Sequence, residues 1–420
     1  MLTPRNVLKV RNISVTFVTS LILLCFVVFP LSAFSTDYYV KTPANGGNDA
    51  NSGLDWGSAK ATIGAAMSLV NGDDSVNVAA GTYNEKVTFP GYNNIALRGG
   101  YPTTGGATQD PAANITIIDG TGISSAAPMV YVPIQGSGTS GYFGIVVDGF
   151  TIRNGTHTGN GCAGIDSYSV GITIKRNIIE NNSTTGASGY AGGIHIFCPL
   201  NDIAKVTIEQ NIIRNNSAAA AGGINLEGAA GKTGKYTAYL VNNLIAGNQS
   251  TTTDPLWLRG VGGIEIMYPA SASIVNCTIA DNTAAHPTNP IGGVSISGYS
   301  AAEKGIAAIA NSIVWHGSGK DILPDANGTL WIAYSSVKDV TISGTGVIHT
   351  NPQFVGAGDY HLTDTSPCRN AGSAVGTILT GDIKMAVSPF LLYLPDIGYK
   401  LPPPKLFERP GHIILGRRHS

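Results

Sequence analysis

The middle of the chain repeats itself, and that restricts the folds open to it more than any other feature. A Gly-Gly-apolar-x-apolar unit occurs as Gly192-Gly193-Ile194-His195-Ile196, Gly222-Gly223-Ile224-Asn225-Leu226, Gly262-Gly263-Ile264-Glu265-Ile266 and Gly292-Gly293-Val294-Ser295-Ile296. Ala163-Gly164-Ile165-Asp166 is a degenerate earlier copy. The second glycines stand at 164, 193, 223, 263 and 293, in steps of 29, 30, 40 and 30. An Asn-led unit alternates with it, beginning at Asn177, Asn211, Asn243, Asn276 and Asn311, with Gly149-Phe150-Thr151-Ile152-Arg153-Asn154 as a first copy. Self-similarity at such a period is the mark of a solenoid or other repeat architecture.

Each repeat holds at least two short β-type segments, and no helical pattern separates them, which excludes βαβ units. A hairpin meander would show tight Asn-Gly or Asp-Gly turns between alternating runs, whereas these turns are longer and recur at one phase. Of 420 residues 54 are Gly and only 12 % are charged, while 43 % are hydrophobic. That composition excludes a disordered chain, a coiled coil and a helical solenoid. A chain that winds once per repeat satisfies both units. Its equivalent strands stack in parallel ~4.8 Å apart, with apolar residues inward. Asn at a fixed coil position forms ladders from rung to rung, and Gly supplies positive φ at the bends. The fold expected is all-β: a single-stranded, right-handed parallel β-helix with a small helix-containing N-terminal cap. Corner and ladder roles are the first reading for every repeated Asn and Gly.

Arg5, Lys9 and Arg11, then an apolar run from Val15 to Phe29, then Ala33-Phe34-Ser35, read as a secretory leader over 1–35. The run is shorter than the ~20 residues a membrane span needs, so no span is expected after cleavage. The leader carries three basic and no acidic residues, which leaves 22 basic against 26 acidic. The last 21 residues hold five basic and one acidic, so the body between is 17 against 25. So acidic a body has no footprint for nucleic acid, and it disfavours polyanionic sugars unless a cation bridges them. Cys162, Cys198, Cys277 and Cys368 remain, too few for a disulfide framework in a chain of this length. One bridge among them is open, with no pairing indicated by spacing.

Residues 36–100 read as a cap and first strands. Ser58 would cap a helix to about Val70, with Ile63, Ala66, Met67 and Val70 on one face. Strands are expected at Val76 to Val78, Lys86 to Phe89 and Ile95 to Leu97. The body is expected over 101–350, a closing segment over 351–380 and an atypical tail over 381–420. Asn48, Asp49, Asn51 and Asp55 in the first loop are the donors a calcium ion would suit, but such residues also make turns, which is the reading favoured. No cofactor is otherwise called for.

Tyr38-Tyr39-Val40, Asn48-Asp49-Ala50-Asn51-Ser52-Gly53, Trp56 and Val76-Asn77-Val78-Ala79-Ala80-Gly81-Thr82-Tyr83 resemble the opening of exported pectin-lyase-like β-helix proteins. Asn351-Pro352-Gln353-Phe354-Val355, Gly358-Asp359-Tyr360-His361-Leu362 and Ser366-Pro367-Cys368-Arg369-Asn370-Ala371-Gly372 are similar to the closing segment of the bacterial surface group called choice-of-anchor Q. The resemblance covers roughly 36–375 and implies export and a surface role rather than an activity. Asp396-Ile397-Gly398 fits the group, but Pro402-Pro403-Pro404 and a basic end depart from it. Polygalacturonase-like members of the fold carry Gly-His-Gly and a coil-borne Asp-Asp. This chain has no Gly-His-Gly, and its Asp73-Asp74 lies in the cap. Pectate-lyase-like members set a basic residue near calcium-binding carboxylates. Arg153, Lys175, Arg176 and Arg214 lie on repeated strands with no carboxylate cluster around them in sequence.

In the Gly-Gly-Ile-x-Ile strand the x residue points outward. The first outward column is then Asp166, His195, Asn225, Glu265, Ser295, and the second is Tyr168, Phe197, Glu227, Met267, Ser297. Candidate acid/base residues are Glu227, Glu265, Asp166 and His195; candidate sugar-binding residues are Tyr168, Phe197 and Asn225. Glu227 and Glu265 on adjacent rungs would lie ~7–8 Å apart on the diagonal, within the separation inverting glycosidases use. The competing reading is a solvated sheet face, which needs polar residues anyway. The functional expectation is an exported or cell-surface protein that binds a polysaccharide or surface glycan without turning it over. The alternatives are a polysaccharide lyase or inverting hydrolase, and a purely structural spacer.

Overall fold

Strand pairing follows the repeat rung for rung. The computed structural model describes residues 35–134, 142–169, 171–198, 204–229, 236–254, 260–373, 378–380 and 383–385. The leader expected over 1–35, but for its last residue, and nearly all of the tail expected over 381–420 lie outside them. Among the described residues a full coil contributes one strand to each of four parallel sheets, which hold 10, 9, 6 and 8 strands and are here sheets 1 to 4 in the order they follow one another round such a coil. In one coil these strands are Ile145–Asp148, Thr151–Arg153, Thr156–His157 and Ile165–Ser167. The chain is thus a right-handed parallel β-helix, the hand that crossovers between parallel strands adopt. One continuous core, including Ile152, Ile165, Ile194, Ile196, Ile224, Leu226, Ile264 and Ile266, runs along its axis.

Two side-chain ladders run beside the core. In the first, Asn177 donates to Asn211 and Asn211 to Asn243, each through Nδ2 at 3.1 Å. The second links Asn182, Asn216, Asn248 and Asn282, through Nδ2–Oδ1 distances of 2.9–3.0 Å, and His316 ends it, 3.3 Å from Asn282. Each ladder residue also reaches a backbone carbonyl of the preceding coil, as Asn216 does at Ile179. The first ladder corrects the sequence alignment. Asn243 is followed on it by Cys277 and Ser312, not by Asn276 and Asn311. Asn276 and Asn311 stand one place earlier, at φ of 53° and 49°, in a left-handed corner shared with Arg176, Gln210 and Asn242.

The glycines have a different reason from the one expected. None of the glycines in the repeated Gly-Gly pairs at 192–193, 222–223, 262–263 and 292–293 has positive φ. A Cβ on Gly223 would lie 2.5 Å from the Gly263 carbonyl oxygen, and one on Gly193 2.5 Å from that of Gly223. Close approach of one rung to the next excludes a side chain there. Gly223→Ala is therefore expected to cost about 1–3 kcal/mol through forced backbone movement, read as a lowered unfolding midpoint in urea. An ordinary strand glycine replaced by alanine would gain stability instead.

In the cap, the helix is shorter than expected, Ile63–Met67, with Thr62 rather than Ser58 at its N-cap. Residues 57–58 instead form a turn, and Lys60 bridges to Val40, so the helix starts only after them. The Glu85 carboxylate accepts from the Ile63 and Gly64 amides and completes the cap. The three strands expected are Ser75–Ala79, Val87–Thr88 and Ala96–Tyr101; Asp37–Val40 precedes them and Gly81–Tyr83 lies among them. Of the loop donors, Asn48 and Asp55 make turns, accepting from the Ala50 and Ser58 amides, whereas Asp49 reaches across to accept from Ala61, Thr62 and the Thr62 hydroxyl. At the other end Ile342 and Val347 pack on the last of the core. The hairpin Phe354–Gly356 and Asp359–Leu362 lies on the outward side of sheet 2, where Tyr360 meets Ile178, Ile212 and Leu244. Cys162, Cys198, Cys277 and Cys368 are all buried.

Candidate functional site

The two columns read from sequence stand in register on the outward side of sheet 4. Asp166 pairs with His195, His195 with Asn225, Asn225 with Glu265 and Glu265 with Ser295. Phe197 pairs with Glu227 and Met267 with Ser297. The first column points away from the core yet is not exposed. Asp166, His195, Asn225, Glu265 and Ser295 are all less than 5 % accessible. That departs from the solvated face expected; at His195 and Asn225 the cover comes from the loops between sheets 3 and 4. Tyr190 in one of them lies with its ring 4.9 Å from that of His195, and its carbonyl accepts from Asn225. The second column, Tyr168, Phe197, Glu227, Met267 and Ser297, is half-buried and forms the accessible strip.

Several buried polar groups here satisfy one another. His195 Nδ1 is 2.8 Å from Asp166 Oδ1, and Asp166 Oδ2 also accepts from the Cys162 amide. His195 Nε2 faces Glu227 Oε2 at 3.7 Å, an ion-pair distance too long for a hydrogen bond. Burial opposes a charge on His195, but Asp166, by charge and hydrogen bond, and then Glu227 outweigh it and hold the imidazole up at about 9. The ring is thus an imidazolium at neutral pH, set between two carboxylates and against the Tyr190 face. Asn225 donates to Glu265 at 3.2 Å. Glu227 and Glu265, expected as a facing pair, are thereby turned to different partners.

Aromatic rings line the strip. Tyr131, in register with Asp166, meets Tyr168 edge-on at 6.1 Å, and Tyr168 meets Phe197 at 5.6 Å. Further along, Tyr268 and Tyr299 lie 5.1 Å apart, and Tyr299 is 65 % exposed. Burial, reinforced by Asp166, raises the Tyr168 phenol well above its usual range, so it stays a neutral donor. Sequence reading missed Tyr131, Tyr190, Tyr268 and Tyr299. Tyr131 sits in a coil without the Gly-Gly signature, and the others lie just outside the repeated strand; the only signal was Tyr190 standing two places before Gly192.

The basic residues on the strands gain carboxylates that the sequence does not set beside them. Arg153 pairs with Asp119 at 2.8 Å, Arg176 with Asp148 at 2.6 Å and Arg214 with Glu180 at 2.6 Å. The partners come from neighbouring rungs, about 30 residues away in sequence. Asp148 is shared with Lys175, at 3.9 Å, and among the described residues no group of three or more His, Cys, Asp or Glu side chains is arranged to hold a metal. No helix among them is long and apolar enough to cross a membrane.

Comparison with protein-family models finds no match, and comparison with curated protein sequences finds none either. Among solved structures the chain is similar to the pectate lyase Pel9A, at 14 % identity and a TM-score of 0.49 over 85 % of this chain and 97 % of that one. It is also similar to the pectin methylesterase from Aspergillus niger, at 14 % identity and a TM-score of 0.34 over 76 % and 89 % of the two chains. A rhamnogalacturonan lyase follows at 12 % identity and a TM-score of 0.34 over 77 % and 91 %. The β-helix described above rests on the chain's own strand pairing.

Proposed function

We propose that this chain is an exported or cell-surface β-helix that binds a glycan along the half-buried strip of sheet 4 without turning it over. One observation carries the reading. The residues open to a ligand are the second column, mostly aromatic and polar and including Glu227, whereas the acid/base candidates Asp166, His195 and Glu265 are buried in the column beside it. Tyr and Phe rings offer an apolar face, and Tyr adds a polar tip, the combination that suits the C–H face and hydroxyls of a sugar. Binding at such a strip needs no group to move a proton. The leader pattern over 1–35 and the closing segment similar to choice-of-anchor Q support the surface location.

A glycan array followed by calorimetry tests the reading. Tyr168→Ala and Phe197→Ala are each expected to weaken binding about tenfold, the equivalent of ~1.5 kcal/mol for a lost aromatic contact. The unsubstituted protein is expected to show no turnover of any glycan it binds. Hydrolysis or elimination that disappears in Glu227→Gln would replace this reading with the lyase or inverting-hydrolase one. Silence in both assays would favour a structural spacer.

A further inference from the structure

The polar atoms left over at the strip specify its ligand more narrowly, an inference that rests on the glycan-binding reading above. Three side-chain atoms of the first column have no hydrogen-bond partner among the described residues: His195 Nε2, Asn225 Oδ1 and Ser295 Oγ. They lie on separate rungs of one column, directly beside the half-buried one. His195 Nε2 is aimed at Glu227, which is 23 % exposed and so opens the buried layer to the strip.

The remaining hydrogen-bonding capacity is mostly accepting. A carboxylate such as Glu227 accepts only. Asn225 has committed its amide nitrogen to Glu265 and to the Tyr190 carbonyl, which fixes its oxygen as the free end. Ser295 both donates and accepts, and His195 Nε2–H donates. A ligand must therefore bring donors. A sugar hydroxyl donates and accepts at once, so it can link His195 Nε2–H with the Glu227 carboxylate. A uronate carboxylate accepts only and adds a like charge. The two columns contain Asp166, Glu227 and Glu265 against the single imidazolium of His195, and neither Lys nor Arg. Like charges set together exclude the wrong partner more sharply than favourable contacts select the right one.

We infer that the strip takes an uncharged, hydroxyl-rich glycan and rejects uronate chains. The test compares neutral oligosaccharides (gluco-, xylo- and manno-series) with oligogalacturonates of matched length, at low salt, with EDTA and again with calcium. Neutral chains are expected to bind, and uronates to bind at least tenfold more weakly in both conditions. Glu227→Gln, nearly isosteric, should narrow that gap several-fold, and Ser295→Ala should weaken neutral chains several-fold without helping uronates. Uronate binding that equals or exceeds neutral binding, with or without calcium, overturns the inference and leaves the binding reading standing. Binding of neither series overturns both.

Discussion

Replacing His195 with alanine is expected to lower stability by about 3–5 kcal/mol, the cost of leaving a buried carboxylate without its partner. Asp166 is 3 % accessible and would keep only the Cys162 amide as a donor. The double variant Asp166→Asn/His195→Gln is expected to recover much of the loss, because it removes the stranded charge along with the ring. The pH dependence has a definite sign. The imidazole is held at about 9 in the folded chain, against ~6.5 unfolded. A raised folded value contributes stability that is complete below the unfolded value and is lost as pH climbs through the folded one. The wild type should therefore lose roughly 3 kcal/mol between about pH 6.5 and 9.5, and His195→Ala should lack that component. Urea unfolding across this range is the measurement. A wild-type curve that is flat or rising there, or an alanine variant as stable as the parent, would sink the buried ion-pair account.

The second large effect belongs to the ladder. Asn216 Oδ1 accepts from the backbone amide and the Nδ2 of Asn182, both at 3.0 Å, while its own Nδ2 donates to Ile179 and Asn248. Asn216→Leu preserves size but strands the Asn182 amide and the Ile179 carbonyl in a dry interior. At ~1–3 kcal/mol for each stranded group, the expected cost is about 2–6 kcal/mol. Arg214→Ala on the neighbouring strand serves as the control. Its ion pair with Glu180 is partly solvated, so less than ~1 kcal/mol is expected there. Asn216→Leu unfolding at the same urea concentration as Arg214→Ala would show that the ladder only decorates the core.

The periodicity carried most of the fold, for a physical reason visible at particular residues. A coil that stacks on copies of itself must put the same chemistry at the same place on every turn. Ile165, Ile194, Ile224 and Ile264 therefore align in space as they do in sequence. The alignment slipped where two polar residues adjoin. Asn242 and Asn243 are identical in type but opposite in role, one a left-handed corner and the other a ladder member. Only Cys277, a weak hydrogen-bonding group in the ladder position, reveals which is which.

What composition and spacing dictate here is everything that repeats: the β-helix, its inward column and the membership of the outward columns. Those features are properties of one turn multiplied, so one turn's pattern suffices to read them. What only tertiary structure decides is everything contributed by the segments that differ from turn to turn. Tyr190, from a loop outside the repeat, packs over His195 and accepts from Asn225, while the carboxylates of Asp166 and Glu227, against the cost of burial, make an imidazolium of His195, and Glu227 and Glu265 turn to different partners. Whether a side chain meets water depends on neighbours far along the chain, and no local period encodes where an irregular loop comes to rest.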